Sequence, residues 1–202
     1  MKTGLNILII LTLITCVLTL VLSIYPGVIQ DIFMFITLAL LWLAIAVGIA
    51  IALVTIVVQR GSASVKNYLV RIGAILLMVA LSYGLLKFYI PRRIAFVASR
   101  PAFEGWLAQN PPKNYTARKR SYRVSESLNK KLGIYRVDQY AADHRGGVYF
   151  RVYRGRDGLG PDTISYGFAY QPNLQGSPFG EAYYGIYPLG NGWFWFQASN
   201  DW

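Results

Sequence analysis

IFMFITLALLWLAIAVGIAIALVTIVV, residues 32–58, runs for 27 positions without a charge. At about 1.5 Å rise per residue a helix of this length reaches about 40 Å, more than the roughly 30 Å hydrocarbon core of a bilayer. The excess predicts tilt or protrusion. The same pattern recurs on both sides. Residues 5–24 are 20 positions free of charge, and residues 72–90 are 19 with one charge, Lys87, near their end. Each approaches the about 20 apolar residues that cross a membrane. Three such segments inside 90 residues describe an integral membrane protein whose first partner is the lipid bilayer.

The joints between the segments carry turn chemistry. Tyr25-Pro26-Gly27 ends the first helix, because proline cannot easily continue it and glycine frees the backbone to reverse. Arg60-Gly61-Ser62-Ala63-Ser64 separates the second from the third. The first segment exceeds the 7–15 residues of a signal-peptide core and no Ala-x-Ala site follows it, so it is expected to stay as a span. Cys16, the only cysteine, lies inside that run and reads as an inert intramembrane thiol. Lys2 and the Arg60, Lys66, Arg71 loop flank a first loop that has Asp31 and no Lys or Arg. The positive-inside rule then places the C-terminal part on the non-cytoplasmic side. Lys87, Arg92, Arg93 and Arg100 argue the other way, but long domains translocate largely regardless of charge. Ala44, Gly48 and Ala52, and Ala80 with Gly84, repeat at four-residue spacing and are candidate helix-packing positions.

Composition changes after residue 90. Residues 91–136 hold eleven Lys or Arg and two acids, whereas 137–202 hold four Arg and six acids. Basic charge is therefore juxtamembrane. Anionic headgroups are its nearest partner, at about 1 kcal/mol per cation, and nucleic acid is disfavoured. Arg118-Lys119-Arg120 is the candidate headgroup contact. Ser99 and Pro101 suit the start of a short helix, with Phe103, Trp106 and Leu107 on one face, ended by Asn110-Pro111-Pro112. Residues 125–131 read as one or two helical turns. This basic segment, 91–131, follows the 1–90 anchor and precedes a β domain over 132–202.

That domain reads as about five short strands, over 134–140, 148–154, 163–170, 182–187 and 193–198. Each is rich in β-branched or aromatic residues and bounded by Gly, Pro, Asn or Asp. His144-Arg145-Gly146-Gly147 and Gly190-Asn191-Gly192 close hairpins. The fold class is therefore α+β: three transmembrane helices, then an antiparallel sheet with a short helix. Along residues 148–154 the pattern sets Val148, Phe150 and Val152 against Tyr149, Arg151 and Tyr153. Tyr149, Arg151, Tyr153, Tyr166 and Tyr170 become the candidate binding face, since Tyr and Arg are enriched at interfaces. Phe194 and Phe196 are expected in the core.

GGVYFRVYRGRDGLGPDTISYGFAYQPN (146–173) and GWFWFQASNDW (192–202) resemble a membrane-anchored protein family of cyanobacterial type. The resemblance covers about the last hundred residues. It implies a bacterial plasma or thylakoid membrane and supplies neither an activity nor site residues.

Chemistry is sparse. His144 is the single histidine; alone it builds no multi-histidine metal site, and only a base role with Asp138, Asp143 or Asp162 is open to it. Residues 156–162 offer two acids to a calcium loop that needs six to eight oxygens, so turn formation is the better reading. No metal and no cofactor is expected. Helices one and two lack the intramembrane charges that transport uses. A membrane-anchored binding or assembly module, its β domain meeting a protein or ligand partner near the membrane surface, is favoured over an enzyme built on His144, or a structural subunit of a larger membrane complex.

Overall fold

The computed structural model describes residues 2–58, 64–111, 126–156 and 163–200. The chain forms two units: residues 1–22 with 33–91, and residues 23–32 with 92–202.

The first unit is helical: α1 (Lys2–Ser23), α2 (Ile32–Val58) and α3 (Ser64–Lys87). All three are long and apolar enough to cross a membrane. Leu5, Leu8, Ile45, Ala52, Ile72 and Ile75 form their shared core. Gly48 is one reason α1 and α2 can meet, since a Cβ there would lie 2.6 Å from Leu8 Cδ1. Ala52 is buried in the same seam. Ala44 and Ala80 are instead exposed, and a Cβ on Gly84 would meet nothing within 4 Å. The small-residue pattern thus packs the chain on α2 at two of its five positions. A feature hidden in the apolar pattern is the buried row Thr12, Thr15, Cys16 and Thr19 on α1. Thr12 and Thr19 donate to the carbonyls of Leu8 and Thr15, four residues back, at 2.8 and 2.7 Å. In an apolar medium that local bond is what permits an inward hydroxyl. α3 starts eight residues before the expected span, because Val65, Tyr68, Leu69 and Val70 extend its apolar character around Lys66 and up to Arg71.

The second unit holds α4 (Ile90–Gln109) and six strands: β1 (Glu126–Leu132), β2 (Tyr135–Ala142), β3 (Val148–Arg156), β4 (Thr163–Tyr170), β5 (Tyr183–Gly190) and β6 (Trp193–Ser199). They make one antiparallel sheet in the order β1-β2-β3-β4-β6-β5. The α+β class stands, with six strands. Residues 23–32 belong to this unit.

Three expectations are corrected. Residues 126–131 are strand, because Lys130, Lys131 and Leu132 pair with Val137, Arg136 and Tyr135 across the Gly133-Ile134 turn. Ser99 caps nothing: α4 begins nine residues earlier and runs through Pro101. Its inner face, Arg92, Phe96, Ser99 and Phe103, is buried, and tertiary packing of that face overrides local signals. Pro101 points outward. Third, β3 does not alternate to its end. A register shift lies between Arg151 and Tyr153. Such a bulge rotates the following side chains to the other face, so Tyr153 joins Tyr166 on the face of Phe150 and Phe168.

That face carries the main core. Phe96 and Phe103 of α4 sit among Tyr135, Phe150, Phe168 and Trp193, with centroid separations from 4.6 to 6.3 Å. The opposite face is smaller: Ala141, Tyr149, Ala169, Phe196 and Ala198 lie under the 171–182 connection, whose Phe179 stacks on Phe196 at 5.9 Å. Phe194 is only half-buried; the core of β6 is Trp193, Trp195 and Phe196.

Gly133 joins α4 to the first hairpin. It sits at φ +61, and a Cβ would fall 2.7 Å from the Ser99 Cα and 2.4 Å from its Cβ. Ser99 Oγ meanwhile accepts from the Ile134 amide at 3.2 Å and donates to Ala95 O at 2.9 Å. Gly146 also has positive φ, +111, with open space around it. Gly146→Ala should therefore cost only backbone strain, about 1 kcal/mol, and Gly133→Ala at least about 2 kcal/mol more. Denaturant unfolding of the two variants measures the difference; equal losses would show that the hairpin does not dock closely on α4.

Candidate functional site: a polar network between the second hairpin and the crossover

β2 and β3 are joined by a turn in which Asp143 accepts from the Arg145 amide at 2.9 Å. An aspartate receiving the amide two residues on is the Asx turn that such a sequence favours. Gly146 and Gly147, both at positive φ, complete the reversal. Asp143 faces inward, its side chain only 2% exposed. Arg145 Nη2 donates to its Oδ2 at 2.8 Å and Nε to its Oδ1 at 3.1 Å. Asn173 Nδ2 adds a second donor to Oδ2 at 3.1 Å.

Asn173 extends the network. Its Oδ1 accepts from the Gln175 and Gly176 amides at 2.8 and 3.1 Å. Its Nδ2 lies 3.2 Å from Tyr149 Oη, which itself lies 3.2 Å from Tyr184 Oη; Tyr184 donates to Asn173 O at 3.0 Å. Arg145 Nη2 also meets Glu181 Oε1 at 2.9 Å. One arginine, one amide and two tyrosines thus tie the second hairpin to the crossover.

The electrostatics follow the geometry. Burial pulls the Asp143 pKa upward, but the Arg145 hydrogen bonds, its charge and His144 outweigh that and hold it below its usual value. The Arg145 guanidinium is correspondingly raised, chiefly by the Asp143 bond. Burial, then the Tyr184 hydroxyl, pushes Tyr149 up, and burial raises Tyr184 as well. These groups are locked in single protonation states near neutrality, which suits a structural tie.

His144 lies 3.3 Å from Asp143 Oδ1 through Nδ1, with its own side chain 71% exposed. Its partner is already saturated by Arg145 and Asn173. Asp138 is likewise committed: Arg151 Nη2 donates to it at 2.7 Å and Nε at 3.1 Å, with the guanidinium 5.3 Å from the Phe179 ring. Among the described residues no group of three His, Cys, Asp or Glu is placed to hold a metal ion.

The five candidate binding residues do not share one open face. Tyr149 and Arg151 are buried on the crossover side. Tyr166 is buried on the other side, and Tyr170 packs on Trp193 at 5.2 Å. Residues 23–32 cover Tyr153 and Tyr166: a Cβ on Gly27, at φ +90, would fall 2.3 Å from Tyr166 Cδ2 and 2.7 Å from Tyr153 Cδ1. Tyr153 Oη donates to Asp31 Oδ2 at 3.0 Å, and burial followed by Asp31 raises its pKa to about 12. Tyr25 donates to Ile134 O, and Tyr135 to Ile24 O at 3.3 Å. Arg92 donates from Nε to Ser23 O at 3.3 Å and lies 4.3 Å over Trp195, which stacks on Tyr187 at 4.0 Å. Ser23, Tyr25 and Asp31 are the residues sequence reasoning missed here; their only local signal is the turn at Pro26-Gly27. Arg118, Lys119, Arg120, Asp162 and the 157–162 loop lie outside the described residues. Comparisons with protein-family models, curated proteins and solved structures gave no match.

Asp143→Asn removes the charged acceptor of Arg145 and should lose about 2–3 kcal/mol at pH 7. His144→Ala, on an exposed side chain, should stay within about 0.5 kcal/mol. The folded pKa of Asp143 is depressed, so its contribution is full above the unfolded value near 4 and is lost as pH falls through the folded one. Melting curves should show the gap between wild type and Asp143→Asn holding from pH 7 to about pH 5 and closing as the pH falls below about 4. A gap independent of pH would mean that Asp143 is not charged in the fold.

Proposed function

We propose that the protein is a membrane-anchored assembly module whose β domain meets a protein partner along β5. The observation that carries this reading is the asymmetry of the two sheet edges. β1 is guarded: Glu126, Lys130 and Lys131 are exposed and Asn129 interrupts the pairing at φ +44. β5 is eight residues long, YYGIYPLG, and carries no charge. Tyr183 is 48% exposed there, and Pro188 with the register shift after it guards only the last third. An uncharged edge strand can take up a further extended segment, and proteins normally blunt such an edge unless it is used. Strand addition by a partner segment fits it: backbone hydrogen bonds give affinity, and Tyr183, with half-buried Ile186 and Leu189, gives side-chain selectivity.

The anchor supplies location. The setting is a bacterial plasma or thylakoid membrane, as the family resemblance implies. The β domain lies on the non-cytoplasmic side, which the Lys/Arg-free first loop supports. Arg118, Lys119 and Arg120 steady it on anionic headgroups.

Two measurements check these statements. A photo-crosslinking benzoylphenylalanine at Tyr183 should give partner adducts in intact cells, and one at Lys130 on β1 should not. Ile186→Lys should abolish the Tyr183 adducts while the melting transition remains; equal adducts from both edges would end the β5 assignment. For sidedness, Leu174→Cys in a Cys16→Ala background should react with an impermeant thiol reagent in intact cells. Ser62→Cys, between α2 and α3, should react only after the membrane is opened. The reverse pattern would put the domain in the cytoplasm.

A further inference from the structure

The outer face of α4 breaks the rule for a surface helix. Its inner stripe packs on the sheet, so at 100° per residue the opposite stripe should be polar. Instead Ile94, Val97, Ala98, Pro101, Gly105 and Ala108 follow one another there without a charge. Ile94 is 66% exposed and Val97 55%. Apart from the buried Arg92, the charges of this helix sit on one flank: Arg93 and Arg100 lie one above the other at seven-residue spacing, and Glu104 pairs with Arg100 at 3.3 Å. A helix apolar on both sides is covered on both sides.

We propose that the outer face of α4, from Arg93 to Pro101, lies in the interface of the bilayer. Ile94 and Val97 enter the acyl boundary, and Arg93 and Arg100 rest against lipid phosphates. Three observations choose lipid as the occupant. Only Phe88 and Tyr89 separate the end of α3 at Lys87 from Ile90, so Arg93 is within about 20 Å of chain from a transmembrane end. Tyr83, Phe88 and Tyr89 are exposed around that joint, and tyrosine there belongs to the aromatic belt at headgroup level. The flanking charges next to Ile94 and Val97 are both cations, which matches anionic phosphate and the pattern of interfacial helices. The face is distinct from the β5 edge, and the two assignments stand or fall separately.

The test uses the full chain with Cys16→Ala, reconstituted one copy per nanodisc in a mixture of phosphatidylcholine and phosphatidylglycerol. Nitroxide labels are placed at Ile94→Cys, Val97→Cys and, as a water-exposed reference, Leu174→Cys, a residue 82% exposed. Power saturation should give labels at 94 and 97 a collision rate with a water-soluble nickel chelate at least fivefold below that at 174, with raised collision with oxygen. Arg93→Gln with Arg100→Gln, which leaves the buried face untouched, should raise nickel accessibility at 97 at least threefold in phosphatidylglycerol-containing discs. It should change little in pure phosphatidylcholine. Accessibility at 94 and 97 within twofold of 174 would overturn the proposal. So would protection seen only in discs holding two copies, which would make a second chain the occupant. An unchanged label at 97 after the arginine substitutions would overturn the phosphate contact.

Discussion

Phe96 and Phe103, two turns apart on α4, are the contact on which the β-sheet unit rests. They bring one helix face onto the aromatic side of the sheet, where Phe150, Phe168, Tyr135 and Trp193 close around them. Buried aromatic rings of this size each remove about 150–250 Å² from water, and edge-to-face pairs add to that. Once α4 is seated, Ser99 is fixed beneath the first hairpin and Gly133 must be glycine. Arg92, one turn before Phe96, is then held above Trp195. The polar ties on the other side of the sheet act on a scaffold that this helix has already positioned.

Local signals were legible and distant ones were not. α2 occupies Ile32–Val58, where an uncharged run of that length leaves little choice in lipid. The Asn191-Gly192 turn has both residues at positive φ, the geometry that this dipeptide favours. By contrast, the bulge after Arg151 has no composition of its own, so strict alternation placed Tyr153 on the wrong face. The strand character of residues 126–132 depends on pairing with β2. The length of α4 depends on a sheet that lies further along the chain. Each of these is decided by a partner whose register no nearby residue announces.

The candidate site was half legible for the same reason. Asp143, His144 and Arg145 stand together in sequence and in a turn, as read. What commits Asp143 to structure is Asn173, thirty residues on, together with an arginine shared with Glu181. The tyrosines marked as a binding face share β-strands but not surfaces. Burial by the crossover and by residues 23–32 uses most of them, and β5, with Tyr183 exposed, is left as the uncharged edge of the described sheet.

The inclusion of residues 23–32 in the β domain sets an order on biogenesis. The partners of Tyr25, Tyr135 and Asp31 lie 109, 111 and 122 positions away in the chain. At about 5–20 residues per second, roughly five to twenty-five seconds of synthesis separate the emergence of the first loop from that of its partners. During that interval Ile134 and Tyr153, which Tyr25 and Asp31 meet in the fold, have not yet been made. Contacts of such long range also form slowly. Docking of the first loop is therefore a late step, available only once Ile134, Tyr135 and Tyr153 have been made.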